Sequence, residues 1–134
     1  MQTKEQQRAA FALKQVEQVY CIPVKEDTAN FVVGVPTMIL TDGLGQSLAF
    51  LLSKQKPGEP NKHTKTFGII KDWLQQQGIN GLTARGNDLD FIKQFSALEQ
   101  NNYLRAQQEA LAMLQWLKRY VRAFGQGEEE GEGG

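Results

Sequence analysis

The sequence predicts an all-α protein, a compact bundle of about five to six helices with one long C-terminal helix. Apolar residues recur at spacings of three and four over most of the chain, and Gly and Pro clusters separate these stretches. The β-branched stretch at 31–35 has no partner strand elsewhere, so we favour helix there too. With 134 residues, of which 40% are hydrophobic, the chain can bury a core as one domain. We predict one helical domain over residues 1–124 and a disordered Gly/Glu-rich tail at 125–134.

The N-terminal segment carries a helix-start signal. Thr3 and Gln6 match the capping-box pattern, and the apolar residues behind them keep to one helical face as far as Tyr20. Pro23 ends this segment, because proline lacks a backbone donor and restricts the residue before it. The pattern predicts a first helix over residues 4–20 and a short linker.

A glycine pair, Gly43 and Gly45, interrupts the apolar stretch between Thr37 and Lys56. A Walker loop requires Lys and Ser or Thr directly after its second glycine, and a dinucleotide fingerprint requires a third glycine where Leu48 stands. The pair therefore does not fit a phosphate loop. We predict a helix-to-helix turn or kink, in which Gly43 follows a helix end and takes a positive φ.

The second half of the chain predicts a loop and three further helices. KQKPGEPNKHTK contains two Pro and a Gly and reads as a loop, with helix resuming at about Thr64. Asn87 is a plausible cap for a short helix at 88–95. Ser96 opens a second capping-box pattern, and no Gly or Pro follows before Gly125. The last helix is thus expected to hold about 28 residues and to measure about 42 Å.

Catalytic and metal-binding patterns are sparse. One Cys and one His cannot form an internal disulfide or a zinc site. We expect Cys21 to be a buried small apolar residue, His63 to be solvated in a mobile loop, and Asp88 and Asp90 to cap a helix start. We therefore predict that the protein has no catalytic residues, binds no metal or cofactor, and is not an enzyme.

The single cysteine and the polar N-terminus bear on the localisation of the protein. A single cysteine suits a reducing compartment. The N-terminus does not resemble a signal peptide, and we expect no segment to approach the roughly 18 apolar residues of a membrane helix. We therefore expect a cytoplasmic protein that does not associate with a membrane.

The net charge of zero conceals an uneven distribution. The last ten residues hold four Glu, which leaves 15 basic against 15 − 4 = 11 acidic residues in the remainder. Five Lys lie between Lys54 and Lys71, and four basic residues lie between Arg105 and Arg122. A basic edge on the last helix can follow a phosphate backbone, but solvated surface arginines are equally common. The pair Trp116 and Tyr120 has two interpretations: the rings stack on bases, or they pack against the core. Packing is the commoner case for large aromatic residues beside a core stripe.

Three stretches together carry a family resemblance: VPTMILTDGLGQSLAFLLSK, WLQQQ and YLRAQQEALAMLQWLKRYVRAF. This combination resembles the small α-helical subunit of the Cmr-type, or type III-B, CRISPR RNA-guided effector complex. The resemblance implies a non-catalytic protein of antiviral defence that stacks in several copies. Its implied partners are those copies, the repeated backbone subunits, the large signature subunit, crRNA and target RNA, which it helps to hold in a groove.

The resemblance and the charge pattern together nominate six RNA-binding residues. On the matching positions the resemblance implies nucleic-acid contacts by Lys54, Lys118 and Arg119. The basic regions alone add three more: Lys56, Arg105 and Arg122. The acidic tail matches no part of the family pattern and is a candidate competitor of RNA for the basic edge.

Two other functions remain open at this point. The first is a helical protein-interaction adaptor without direct RNA contact, and the second, which we consider the weakest, is a small nuclease using Asp88, Asp90 and His63. A stacking subunit also needs apolar surface for its copies, and we expect Ile79, Leu82 or Phe95 to provide it.

Overall fold

The structure, a computed structural model, describes residues 1–83 and 86–126 and is all-α over them, as predicted. It contains five α-helices: α1 (Lys4–Gln15), α2 (Glu26–Ser53), α3 (Lys62–Gln75), α4 (Asp88–Ser96) and α5 (Gln100–Ala123). A π-helical segment, Val16–Tyr20, extends α1 to the predicted end of the first helix. The long C-terminal helix is confirmed.

The start of α1 confirms the predicted capping box. The Gln6 amide donates to Thr3 Oγ1 over 3.1 Å, and the Thr3 amide donates to Gln6 Oε1 over 2.8 Å. The prediction for Cys21 was wrong, because its side chain is exposed. The chain leaves the helix at this residue, with φ 67°, so the buried positions fall to Tyr20 and Val24 on either side.

α2 reverses its direction at Gly43, as predicted. Gly43 has φ 86° and ψ 158°, far from helical values. In a straight helix Phe31 and Phe50 would lie about 28 Å apart. Instead, their ring centroids lie 4.5 Å and 5.8 Å from the ring of His63. The second half of α2 therefore folds back along the first half.

Side chains of α5 satisfy the backbone amides that the reversal leaves free. The Leu44 amide donates to Gln107 Oε1 over 2.9 Å, and the Gly45 amide donates to the Tyr103 hydroxyl over 3.0 Å. A new helix start exposes several such donors, and each one left without an acceptor would cost stability. The turn is thus fixed to the first half of α5.

α2 is also long and apolar enough to cross a membrane by length and composition, the one such helix among the described residues. By composition this finding contradicts our expectation that no segment approaches a membrane span, but the reversal at Gly43 divides the 28 residues into two shorter helical halves. Its apolar residues enter the protein core, however: Val32, Val35, Ile39, Leu44 and Leu48 are completely buried. Core helices of globular proteins pass the same compositional test.

The boundaries of the last three helices differ from the predictions in two places. α3 begins at Lys62 behind the cap Asn61, so His63 lies in a helix and not in a loop. Asn87 caps α4 as predicted. The Ser96 capping-box prediction was wrong, since Ser96 is the last residue of α4 and α5 begins at Gln100. At 24 residues, α5 measures about 36 Å.

α5 lies centrally and contacts α1, α2 and α3. Its buried residues recur at helical spacing on the face toward the core: Ala106, Ala110, Met113, Leu114, Leu117 and Val121. The expected interface residues Ile79, Leu82 and Phe95 are buried instead. The connection after α3 turns inward and places the first two in the core, while Phe95 packs against Phe91 and Tyr103.

The end of α5 is joined to the start of α2. The Val24 amide donates to the Phe124 carbonyl over 2.9 Å, and the Gln126 amide donates to the Val24 carbonyl over 2.8 Å. Gly125 and Gln126 thus lie beside the first turn of α2. The remainder of the predicted tail, residues 127–134, lies outside the described residues, and its disorder stays a prediction.

Candidate nucleic-acid interface

Five lysines from three parts of the chain line one open cleft of about 520 Å³, which we call the lysine cleft. Lys25 precedes α2, Lys54 and Lys56 follow it, and Lys62 and Lys65 lie in the first turn of α3. Two of these five, Lys54 and Lys56, are predicted site residues. The structure therefore brings them together and adds three more cations.

The reversal of α2 explains this convergence. Because the helix turns back at Gly43, Lys25 at its start and Lys54 at its end line the same cleft. Asn61 then links α2 to α3: its side-chain nitrogen donates to the Lys54 carbonyl over 2.8 Å, and its side-chain oxygen accepts from the Thr64 amide over 2.9 Å. The backbone around the cleft is thus held by hydrogen bonds.

The lysine cleft carries an excess of positive charge. Its lining includes two carboxylates, Asp27 and Glu59, against the five lysines, a formal balance of 5 − 2 = +3. Lys62 Nζ lies 3.3 Å from Asp27 Oδ2, and this hydrogen bond holds the pKa of Asp27 below its usual value. The other lysines give the cleft a positive potential that favours anions.

Helix stability does not account for lysines at the start of α3. The N-terminus of a helix carries a partial positive charge, so acids are favoured there and bases are disfavoured. The first-turn sequence KHTK contains two lysines and no acid. An anionic group at this helix end would interact favourably with both the lysines and the free amides.

His63 occupies a different environment from the one we predicted. It is half-buried on α3, with its ring against those of Phe31 and Phe50. Burial lowers the pKa of His63, and three neighbouring lysines of the cleft lower the pKa further. The imidazole is consequently neutral at pH 7 and forms part of the apolar wall of the lysine cleft.

Tyr20, which lines the lysine cleft, forms a buried hydroxyl pair with Thr66. The Tyr20 hydroxyl lies 2.5 Å from Thr66 Oγ1, which donates to the Lys62 carbonyl over 2.8 Å. Because the Thr66 hydroxyl hydrogen is directed to the Lys62 carbonyl, the Tyr20 hydroxyl is the donor to Thr66. Burial raises the pKa of Tyr20, so its phenol stays protonated. This chain of hydrogen bonds ties the end of the first helix to the first turn of α3.

Three of the remaining predicted site residues lie together at the end of α5. Arg119 and Arg122 are exposed and Lys118 is half-exposed. Arg122 lies in a depression lined also by Val24 and Glu26, whereas Lys25, between them in sequence, lines the lysine cleft. Arg122 and the lysine cleft therefore flank the same turn of the chain.

Arg105 lies apart from the other predicted residues. It is about 21 Å from Arg119 along α5. Its guanidinium donates to the Gln77 carbonyl over 3.0 Å, at the connection that follows α3. The predicted continuous arginine edge is thus divided in the structure into a basic end of α5 and a separate Arg105.

Trp116 and Tyr120 adopt the packed arrangement. Trp116 Nε1 donates to Glu5 Oε1 of α1 over 2.9 Å. The Trp116 and Tyr120 rings lie 6.1 Å apart, and the Tyr120 ring lies 6.3 Å from that of Phe124. These contacts support packing between α1 and the end of α5 over base stacking.

The residues of the nuclease alternative are separated. Asp88 pairs with Lys71 over 3.0 Å, and Asp90 completes the capping box of α4. Lys71 and His63 are eight residues apart on α3, or about 12 Å. Among the described residues no three His, Cys, Asp or Glu side chains cluster as metal ligands would.

Sequence reasoning missed three lysines of the cleft, Lys25, Lys62 and Lys65. The last two belong to the basic region that begins at Lys54, so their charge was visible in the sequence. Lys25 lies 29 residues before Lys54, and its place in the cleft depends on the reversal at Gly43.

The fold and this surface define a class: a small all-α subunit with a cleft suited to anions. The family model described as CRISPR-associated protein (Cas_Cmr5) matches residues 4–124, nearly all of the described chain. The chain belongs to this family and is a Cmr-type, type III-B, CRISPR-associated small subunit. The resemblance inferred from the sequence is thereby confirmed.

Proposed function

We propose that this chain is a non-catalytic subunit that contacts the crRNA and target RNA of a Cmr complex through the lysine cleft and the basic end of α5. The observation that carries the proposal is the convergence of five lysines on one cleft in a member of this family. In this proposal the chain acts in the cytoplasm in antiviral defence, stacked in several copies beside the backbone subunits and the large signature subunit.

The chemistry of the surface suits a guide-directed complex. Lysine and arginine side chains bind phosphates without reading bases, so they supply affinity and position. Base pairing between guide and target supplies sequence specificity, and the protein needs none of its own. A surface of cations without base-reading side chains therefore matches the task.

The proposal divides the six predicted site residues. Lys54 and Lys56 act within the lysine cleft, and Lys118, Arg119 and Arg122 act beside it at the end of α5. Arg105 is left outside the RNA contact, because it lies about 21 Å from Arg119 along α5. Its guanidinium donates instead to the Gln77 carbonyl.

The test is reconstitution of the Cmr complex with a triple variant of the cleft, Lys25→Gln, Lys56→Gln and Lys65→Gln. We expect assembly to be unchanged and target-RNA affinity to fall about tenfold at moderate salt. The slope of log affinity against log salt should decrease by about 2 for each copy that contacts the RNA, since each lost phosphate contact removes about 0.7 for single strands.

A second triple variant, Lys14→Gln, Lys93→Gln and Arg105→Gln, removes the same charge elsewhere on the surface. We expect it to change RNA affinity less than twofold. Equal losses for both triples would show that only total charge matters and would overturn the assignment to the cleft. Failure of the cleft variant to assemble would favour the adaptor function instead.

A further inference from the structure

The size of the lysine cleft restricts what can enter it. Its volume of about 520 Å³ lies within the range of small-ligand pockets, about 300–1,000 Å³. One nucleotide is a ligand of this size. A base pair within a duplex does not fit the cleft, because its two phosphates lie on opposite outer edges and its bases are covered by the neighbouring base pairs. A duplex would touch only the rim.

An exposed aromatic ring lies next to two residues that line the cleft. Phe50, in the last turn of α2, is 39% exposed although it is a large apolar residue. Its ring contacts two residues that line the cleft: Lys54 Nζ lies 5.1 Å from the ring centroid, and the His63 ring lies 5.8 Å away at a steep angle. His63 is in turn packed against Phe31, with 4.5 Å between their ring centroids.

The contact between Lys54 and Phe50 is exchangeable. An exposed cation–π contact is worth less than the stacking of a nucleic-acid base on an aromatic ring. If the Lys54 ammonium moves from the ring to a phosphate in the cleft, it gains an ion pair and uncovers the ring for a base. The new ion pair of Lys54 and the stacking of a base on Phe50 both favour the RNA-bound state.

We propose that the lysine cleft holds an unpaired nucleotide of RNA, with its phosphates among the lysines and its base against Phe50. Cations that track a backbone beside an aromatic platform are the combination by which proteins bind single strands. This inference rests on the proposed function and specifies the RNA that the cleft accepts: a single-stranded segment and not a guide–target duplex.

The experiment measures binding of the full chain to labelled single-stranded RNA and to duplex RNA of equal length, by fluorescence anisotropy over a salt series. Phe50→Leu keeps an apolar side chain but removes the ring face. We expect it to weaken single-strand binding about tenfold with an unchanged salt slope and to leave duplex binding within twofold. Phe50→Trp should retain single-strand affinity, which separates stacking from misfolding.

Leu89→Ala is the control, because Leu89 is also a large exposed apolar residue, at 60%, but lies on α4, which contributes no residue to the lysine cleft or to the basic end of α5. We expect it to leave single-strand binding within twofold. If Phe50→Leu has no effect, or if it weakens both RNA forms equally, the unpaired-nucleotide assignment fails. The proposed function then still stands provided that the cleft triple variant loses affinity; if that variant also binds normally, both proposals fail.

Discussion

Two charged clusters of this molecule are built in opposite ways. The closed cluster joins α1, α3 and α5: Arg8 donates to both carboxylate oxygens of Glu109 over 2.8 Å and 2.9 Å, and Trp73 Nε1 donates to Glu109 Oε1 over 3.0 Å. Arg8 also pairs with Glu5 over 2.6 Å. The lysine cleft, by contrast, gathers five cations around two carboxylates.

The pKa values in the closed cluster show that its charges are satisfied. Burial alone would raise the pKa of Glu109, but the hydrogen bonds from Arg8 and Trp73 outweigh burial and hold the pKa below its usual value. The hydrogen bond with Glu109 likewise raises the pKa of Arg8. Both groups therefore remain ionised and stabilise the contact of α1 with α5.

The comparison distinguishes charges that stabilise the fold from charges that await a ligand. The bidentate geometry of the closed cluster is the strongest form of ion pair, and both side chains are largely shielded from water. The cleft lysines outnumber their carboxylates and include two at a helix end that disfavours cations. Helix stability does not explain their arrangement, whereas the proposed binding of RNA phosphates does.

The largest expected effect is on the closed cluster. Glu109→Gln keeps the shape of the side chain but leaves Arg8 without its bidentate partner, and we expect the free energy of unfolding to fall by roughly 2–3 kcal/mol. A fully buried pair would lose about 3–5 kcal/mol. Urea unfolding at pH 7 measures the change.

The exposed Glu17→Gln in the π-helical segment is the control for Glu109→Gln, and it should change stability by less than about 0.5 kcal/mol. RNA binding by Glu109→Gln should match that of the wild type under conditions where both are folded. A loss of RNA affinity in the folded variant would show that the two clusters are not functionally separate.

Local sequence patterns predicted several elements of this fold correctly. Capping side chains such as Thr3 and Asn87 act within three residues, so the sequence alone predicts them correctly. Gly43 was also predictable, because a turn that needs positive φ favours glycine. The Ser96 signal failed because the helix capped at Asn87 runs through it, and a local pattern cannot show which of two overlapping helices forms.

Long-range geometry explains the predictions that were wrong or missing. The burial of Ile79 and the exposure of Cys21 depend on how a connection packs against distant helices. The place of Lys25 in the cleft depends on the angle at Gly43, which no spacing in the sequence encodes. The charge of four of the five cleft lysines was thus visible in the sequence, while the place of Lys25 beside them required the tertiary fold.

The reversal of α2 that creates the cleft depends on the backbone conformation of Gly43. At φ 86° and ψ 158°, Gly43 occupies a region that is almost restricted to glycine, so Gly43→Ala should lower the free energy of unfolding by roughly 1–3 kcal/mol. Steric overlap is not the cause, since an added Cβ would lie 3.4 Å from the Tyr103 hydroxyl oxygen. Thermal and urea unfolding measure the loss.

Gly34→Ala provides a control of opposite sign on the same helix. An added Cβ at Gly34 meets no described atom within 4 Å, so alanine should stabilise the helix there by roughly 0.5–1 kcal/mol. If both variants shift stability in the same direction, the backbone at Gly43 is not under the constraint that the structure shows.

The smallest effect concerns His63 in the wall of the lysine cleft. Its neighbours are Lys54, Lys56 and Lys62, the last of which is paired with Asp27. Because folding lowers the pKa of His63 below its ordinary value of 6.5, the unfolded chain binds more protons than the folded chain as the pH falls past that value. The contribution of His63 to the free energy of unfolding is therefore complete above pH 6.5. It is lost as the pH falls towards the pKa of His63 in the folded chain.

Urea unfolding of the wild type and of His63→Gln between pH 5 and pH 7 isolates this contribution. The variant loses ring packing against Phe31 at every pH, so the informative quantity is the change in the difference between the two proteins. We expect the wild-type advantage to shrink as the pH decreases. Parallel curves would mean that His63 titrates as it does in the unfolded chain, and that the cleft lysines exert no net field on the imidazole. A shrinking advantage would show that burial, together with the neighbouring lysines, disfavours a charged imidazole at this position.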